Sequence, residues 1–233
     1  MPSHFHVCLP YATVGFFKRL VDAFPARYEW ERPRILIDNR CTMPSRVRAI
    51  LYGERRDELV RQLAESVKNL VGGGSTHVFL ACNTSHVFLD EVRALAPEAA
   101  GYVVDMIALL AEDAAAKGIK RAFLLASEGT IASGIYQDRF GAEGVEVVPA
   151  GDAIQGRLRQ FIEVVKQNKV DAAAKAEFAA FVCELGEPCV ILGCTELPLL
   201  IDGPVEGVEL LDPMQVAINY VVRAQAEAKR PIK

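Results

Sequence analysis

Apolar positions along this chain fall into short runs separated by longer stretches of helical spacing. Short apolar runs bounded by turn formers read as buried strands. They are predicted at His4–Leu9, Arg34–Asp38, Thr76–Ala81, Gly101–Val104, Arg121–Ala126, Val145–Pro149 and Cys189–Leu192. Helices are predicted between them: Thr13–Phe24 with Thr13 as its cap, Arg56–Val71, Asp105–Lys117, Ala153–Gln167, Val170–Leu185 and Pro213–Lys229. Leu59, Leu63, Val67 and Leu70 lay one apolar stripe along the second of these, and Gly118 is a natural stop for the third. Strands alternating with helices predict an α/β protein with parallel sheets.

The pattern repeats. FHVCLPYAT (5–13) and RAFLLASEGT (121–130) each run from a strand through a loop to a threonine, Thr13 or Thr130, that opens a helix. RILIDNR and VEVVPAG follow as second strands, and two helices come after each. THVFLACNT and PCVILGCTE then close the halves, with Cys82 and Cys194 112 positions apart in a chain of 233 residues. LACNTSH turns polar after its cysteine through Asn83, Thr84 and His86; ILGCTELP does so through Thr195 and an acid.

Composition narrows the class. Hydrophobic residues are 51%, charged residues 24% and the net charge is −4, as in an ordinary soluble globular protein with no basic block for nucleic acid. No signal-peptide pattern and no membrane-length apolar run stands out, so a cytoplasmic location is expected, without a membrane partner. Six cysteines in a chain of this size are expected to be free thiols. Neither they nor the four histidines have metal-ligand spacing. Cys8, Cys41, Cys183 and Cys189 read as small buried apolar residues. GGGSTH (72–77) precedes a strand and lacks the phosphate-loop pattern, so it reads as a turn.

Cys82 and Cys194 are different. Both stand just past the carboxyl end of a predicted strand, where open parallel sheets bind ligands. Two similar units about a pseudo-twofold axis would set the thiols face to face. A following helix start would favour anions and lower a thiol pKa from about 8.5 towards neutrality. One thiolate can then take a proton from carbon while the opposite thiol returns one to the other face. Contact distances of about 3–3.5 Å on each side put the sulfurs roughly 6–7 Å apart. Asn83, Thr84, Thr130 and Thr195 are placed to stabilise a carbanion at its carboxylate. A pair of small residues at tight strand ends is the plain alternative.

On these motifs the chain resembles the aspartate/glutamate racemase family over most of its length. ILIDNRCTMPSR is similar to the family's Asp-Asn and Pro-x-Arg element, CNTSH and LGCTELPLL to its two cysteine motifs, and SEGTIASGIYQDRF to a stretch of its second half. The resemblance implies two pseudosymmetric α/β domains with parallel sheets and an active site in the interdomain cleft. The division is residues 1–97 completed by 208–233, and residues 98–207. It implies a homodimer that uses no cofactor and no metal and acts on a small amino-acid substrate. Cys82 and Cys194 would be the catalytic acid/bases. Asn83 and Thr84 would hold the substrate carboxylate, with Thr130 and Thr195 lining the site. Arg46 and Lys166 would face the side-chain carboxylate, and Glu196 would orient the second thiol or take up the amino group.

The departure from the family is at the front. HVCLPYAT stands where the family has a glycine-rich turn; Pro10, Tyr11, Ala12 and Thr13 are kept and the glycines are gone. Tyr11 and Thr13 are therefore expected at an altered wall of the substrate site. Aspartate or glutamate is the first expectation. Maleate isomerisation, with a cysteine as nucleophile, and hydantoin racemisation are the related alternatives. A non-catalytic small-molecule binder and a redox protein with a reversible Cys82–Cys194 disulfide are the readings from other classes.

Overall fold

The computed structural model describes residues 5–7 and 10–228, with side chains over residues 11–227. Eight strands lie among them: β1 (Phe5–Val7), β2 (Ile37–Asn39), β3 (Val78–Phe79), β4 (Val103–Val104), β5 (Arg121–Leu125), β6 (Glu146–Pro149), β7 (Cys189–Leu192) and β8 (Glu209–Leu211). The helices are α1 (Pro10–Ala23), α2 (Arg46–Tyr52), α3 (Arg56–Gly72), α4 (Leu89–Leu95), α5 (Met106–Ala116), α6 (Glu128–Ser133), α7 (Ile135–Ala142), α8 (Asp152–Lys166), α9 (Ala172–Glu184) and α10 (Pro213–Ala228). Every named strand pairing is parallel. The second half forms one sheet of order β6–β5–β7–β8. In the first half β1 pairs β2, β3 pairs β4, and β1 lies beside β3, so the spatial order β2–β1–β3–β4 matches it.

The sheets are buried on both faces, as parallel sheets are. Along β3 and its extension, Val78, Leu80 and Cys82 pack towards α3, whose stripe Leu59, Leu63, Val67 and Leu70 is fully covered. Phe79 and Ala81 pack on the other face with Phe16 and Leu20 of α1 and Ala217 and Ile218 of α10. The second sheet repeats this alternation. Cys189 and Ile191 join Ile107 and Leu110 of α5, whereas Val190, Leu192 and the half-buried Cys194 join α8 and α9. Each cysteine therefore leaves its sheet towards the same kind of helix pair.

The long elements fall where the pattern predicts, and the short ones differ for local reasons. The predicted first strand is described only over Phe5–Val7; His4, Cys8, Leu9 and Lys229 lie outside the described residues. Strand Arg34–Asp38 is displaced to Ile37–Asn39, where, among the described residues, β2 pairs with β1 from Phe5↔Ile37 to Val7↔Asn39. Half of Gly101–Val104 is taken by a 3₁₀ turn, Pro97–Tyr102, leaving two residues of strand. Thr13 does not cap α1, which starts at Pro10, a residue preorganised for a first helical position. Thr130 does not open its helix either: the Ser127 side chain accepts from the Thr130 N–H and is the cap of α6. GGGSTH is a turn, with Gly74 at φ +98° and Ser75 donating to the Leu70 carbonyl. Cys189 is buried, but Cys41 and Cys183 are exposed, one in a loop after β2 and the other on the outer face of α9.

Each half ends in an aspartate that caps a helix. Asp105 accepts from the N–H groups of Ile107 and Ala108 at the start of α5, and Asp212 from that of Met214 in α10. Each aspartate also pairs with an arginine of the other half, Asp105 with Arg139 of α7 at 2.9 Å and Asp212 with Arg19 of α1 at 2.6 Å. α5 and α10 pack on each other. Thus β4 at 103–104 pairs in the first sheet and β8 at 209–211 in the second, while α10 packs on the first sheet.

Gly193, next to Cys194, shows how tightly the second strand end is held. Its N–H donates to Leu125 O at 2.7 Å. A Cβ there would lie 2.6 Å from Leu124 Cδ1 and 2.9 Å from both Ala126 Cβ and Leu125 O. Overpacking against backbone costs about 1–3 kcal/mol. Gly193→Ala is expected to lower the unfolding free energy by about that amount in urea denaturation, with an unchanged m-value.

Candidate active site

Residues from both strand ends meet at one small cavity of about 110 Å³. Cys82, Asn83 and Thr84 follow β3; Cys194, Thr195 and Glu196 follow β7; Arg46 comes from the first turn of α2 and Lys166 from the last turn of α8. Both cysteines are free thiols. The turns after them are tight 3₁₀ segments, Asn83–Phe88 and Leu197–Leu200. A larger cavity of about 580 Å³, bordered by Arg19, Lys117 and Asp212, contains no thiol.

The two thiols have different surroundings. Cys194 Sγ donates to Glu196 Oε2 at 2.9 Å, and Thr195 Oγ1 donates to the same oxygen at 3.3 Å. Burial pushes the Cys194 thiol well above its ordinary value, and the Glu196 carboxylate adds to this. Burial likewise raises the Glu196 pKa. The other carboxylate oxygen, Oε1, is buried without a hydrogen-bond partner. Cys82 is buried, and its carbonyl accepts from the Ser85 N–H at 3.0 Å and from the His86 ring at 3.1 Å.

Polar groups converge on the space between the thiols. Both amide atoms of the buried Asn83 lack a partner, an arrangement that costs about 1–3 kcal/mol per group. Thr84 Oγ1 lies 2.8 Å from Thr130 Oγ1 and 3.1 Å from Ser127 Oγ, and the last two are 2.9 Å apart. This triangle of hydroxyls joins the halves. Lys166 donates to Glu163 at 2.9 Å; desolvation works against its charge, but Glu163 outweighs it and the pKa rises, with smaller contributions from Glu196 and Cys194. Arg46 donates to Pro44 O at 3.2 Å.

The expected residues divide into groups. Cys82, Asn83, Thr84, Arg46, Lys166, Cys194, Thr195 and Glu196 line the cavity. Thr130 stands behind Thr84 and meets the site through it. Tyr11 and Thr13 are outside the lining; Tyr11 is exposed, and Thr13 is buried with its hydroxyl 3.5 Å from Asn39 Oδ1. Ser45, Val47, Ser127 and Ile162 line the cavity without having been singled out by pattern. Ser127 had a readable signal, a serine three residues before Thr130 at a helix start. Tyr136, within SEGTIASGIYQDRF but not singled out there, is fully buried with an unpartnered hydroxyl, and burial raises its pKa well above the ordinary value.

Two α/β units with a thiol at each matched strand end define a class of protein that the comparisons with known sequences make specific. The chain belongs to the Asp/Glu/hydantoin racemase family, whose model matches residues 6–221. Among curated relatives it is 25% identical over 213 residues to the broad specificity amino-acid racemase RacX of Bacillus subtilis, covering 87% of this chain and 88% of that one. The fold is similar to that of the Picrophilus torridus aspartate racemase, with a TM-score of 0.81, 22% identity and 96% and 94% of the two chains covered. It is also similar to an aspartate racemase homologue from Pyrococcus horikoshii, with a TM-score of 0.74, 21% identity and 97% and 100% covered. No helix among the described residues is long and apolar enough to cross a membrane.

Buried Glu196 has a consequence for stability. Its folded pKa lies above the unfolded one, so the fold favours its neutral form. That contribution is fully present below the unfolded value and is lost as pH rises through the folded one. Glu196→Gln is therefore expected to have a higher urea midpoint than the parent at pH 7, a gap that closes towards pH 4. Equal midpoints at pH 7 would contradict the burial cost.

Proposed function

We propose that this protein is a cofactor-independent racemase of an acidic amino acid, working by proton transfer between the α-carbon and the thiols of Cys82 and Cys194. The observation that carries the reading is the pair of free thiols lining one small cavity from matched strand ends. The two cationic side chains at the same cavity, Arg46 and Lys166, favour a substrate with a second carboxylate. The unpartnered Asn83 amide suits an amino acid: Nδ2 donates to the α-carboxylate and Oδ1 accepts from the α-ammonium.

In one direction the Cys82 thiolate breaks the α-C–H bond and takes the proton. The electron pair left on carbon spreads into the α-carboxylate, where the Asn83 amide and a Thr84 hydroxyl stabilise it. The Cys194 thiol, whose raised pKa keeps it protonated, delivers its proton to the opposite face. The stereocentre is inverted, Cys82 ends as thiol and Cys194 as thiolate. Glu196 orients Cys194 through the 2.9 Å hydrogen bond and opposes its ionisation, so substrate ammonium and Lys166 must offset that charge in the reverse direction. The proposal includes a cytoplasmic homodimer built from domains 1–97 with 208–233 and 98–207; sedimentation velocity checks its size.

In D₂O under reducing conditions, the enantiomers of aspartate or glutamate are expected to lose the α-hydrogen signal in proton NMR while chiral chromatography shows inversion. Cys82→Ala and Cys194→Ala should each lower inversion by at least about a hundredfold, the lower range for a lost general acid or base. Absence of exchange with every acidic amino acid, or inversion that survives both substitutions, rejects the reading.

A further inference from the structure

We infer that His86 is a positioning residue for Cys82, and that it sets the aim of this thiol by tying its carbonyl to the start of α5. This rests on the reading that Cys82 takes part in the reaction. His86 is 1% exposed and does not line the cavity. Its Nδ1 lies 3.1 Å from Cys82 O, and its Nε2 lies 3.3 Å from the Met106 backbone N. Met106 N–H is a donor, so Nε2 must be the unprotonated nitrogen and Nδ1 must carry the hydrogen. The imidazole is thus a neutral bridge with one donor and one acceptor, both occupied. Burial lowers its pKa and holds it in that state.

What the bridge holds is the peptide that follows the cysteine. Cys82 O accepts from Ser85 N–H as well as from His86, so both of its lone pairs are used. That fixes the plane at ψ 106° and with it the direction in which Cβ leaves the chain. The other end is equally constrained. Asp105 occupies the Ile107 and Ala108 N–H groups, His86 takes that of Met106, and Arg139 of the second half holds Asp105 at 2.9 Å. A continuous path therefore runs from Cys82 through His86 and α5 to the half that carries Cys194. Cys194 has a different support, the hydrogen bond from its thiol to Glu196. Four residues beyond it, where His86 would have its counterpart, stands Pro198. The two thiols are aimed by different devices, so a lesion at His86 should fall on one of them.

Atom-matched substitutions test this. In His86→Asn the amide Nδ2 occupies the place of Nδ1–H and can still donate to Cys82 O. In His86→Gln the amide reaches the place of Nε2 and leaves the carbonyl unmatched. His86→Ala removes both. Urea midpoints identify any variant that has simply lost its fold. On the substrate that the parent inverts, His86→Ala and His86→Gln are expected to lower kcat at least tenfold with KM within twofold. His86→Asn should recover to within threefold of the parent. Because only the Cys82 step is slowed, the primary deuterium isotope effect on kcat/KM should rise for the enantiomer that Cys194→Ser still exchanges, and not for the other. The same series is read without turnover from the rate at which iodoacetamide alkylates Cys82 relative to Cys194, followed by peptide mass spectrometry. That ratio should change at least threefold in His86→Ala and return in His86→Asn. An inactive parent rejects the racemase reading and leaves the alkylation ratio to decide on His86. An unchanged ratio, equal isotope effects in the two directions of an active series, or no recovery in a folded His86→Asn overturns the positioning role.

Discussion

Everything at the candidate site depends on how α5 and α10 join the two halves. Each helix leaves one sheet behind an aspartate cap and packs against the other half's apolar layer, α5 with β5 and α7, α10 with α1 and β3. Each cap is then bound by an arginine of the half that its helix packs against, Asp105 by Arg139 of α7 and Asp212 by Arg19 of α1. These pairs are largely shielded, so removing one partner leaves a charge in a poorly solvated place, which costs more than losing a surface pair. The apolar layers supply most of the adhesion, and the ion pairs restrict its geometry. Two strand ends separated by more than a hundred residues are held in register by this exchange.

The halves are matched in architecture and differ in chemistry. Cys82 and Cys194 leave equivalent strands towards equivalent helix pairs, yet one is held by a neutral imidazole through its carbonyl and the other by a carboxylate through its sulfur. A carboxylate beside the half-buried Cys194 thiol opposes its ionisation, whereas the imidazole at Cys82 bonds to the backbone carbonyl. A symmetric scaffold thus gives its two thiols unequal surroundings. The triangle of Thr84, Ser127 and Thr130 hydroxyls crosses the pseudo-axis and gives both strand ends a shared polar floor.

Much of this was readable from the sequence because it was written in periodicity. The α3 stripe, the buried strand ends at Cys82 and Cys194 and the order of the halves all rest on spacing and repetition. The family motifs then brought eight of the expected site residues to one cavity. What escaped was short or tertiary. Strand β8 is three residues long and exists because β7 offers it an edge. Helix α2 spans two turns, too few for a periodic signal, although Ser45 and Gly53 mark its ends. Thr13 is not a cap and Thr130 does not open its helix, because a threonine before an apolar run looks the same whether it stands at the start or inside the first turn. His86 was visible in LACNTSH, but its role needs Met106, twenty residues on, and no local pattern shows that.

Asn83 has one more implication. The buried Asn83 amide and the buried Glu196 Oε1 have no hydrogen-bond partner within the described chain, and pairing either is favourable. A molecule that satisfies them binds the folded chain and not the unfolded one. By mass action it raises the melting temperature in proportion to the logarithm of its concentration above its dissociation constant. Such a molecule would complete the polar interior of the cavity, so heat resistance itself becomes a reporter of which small molecules fit it.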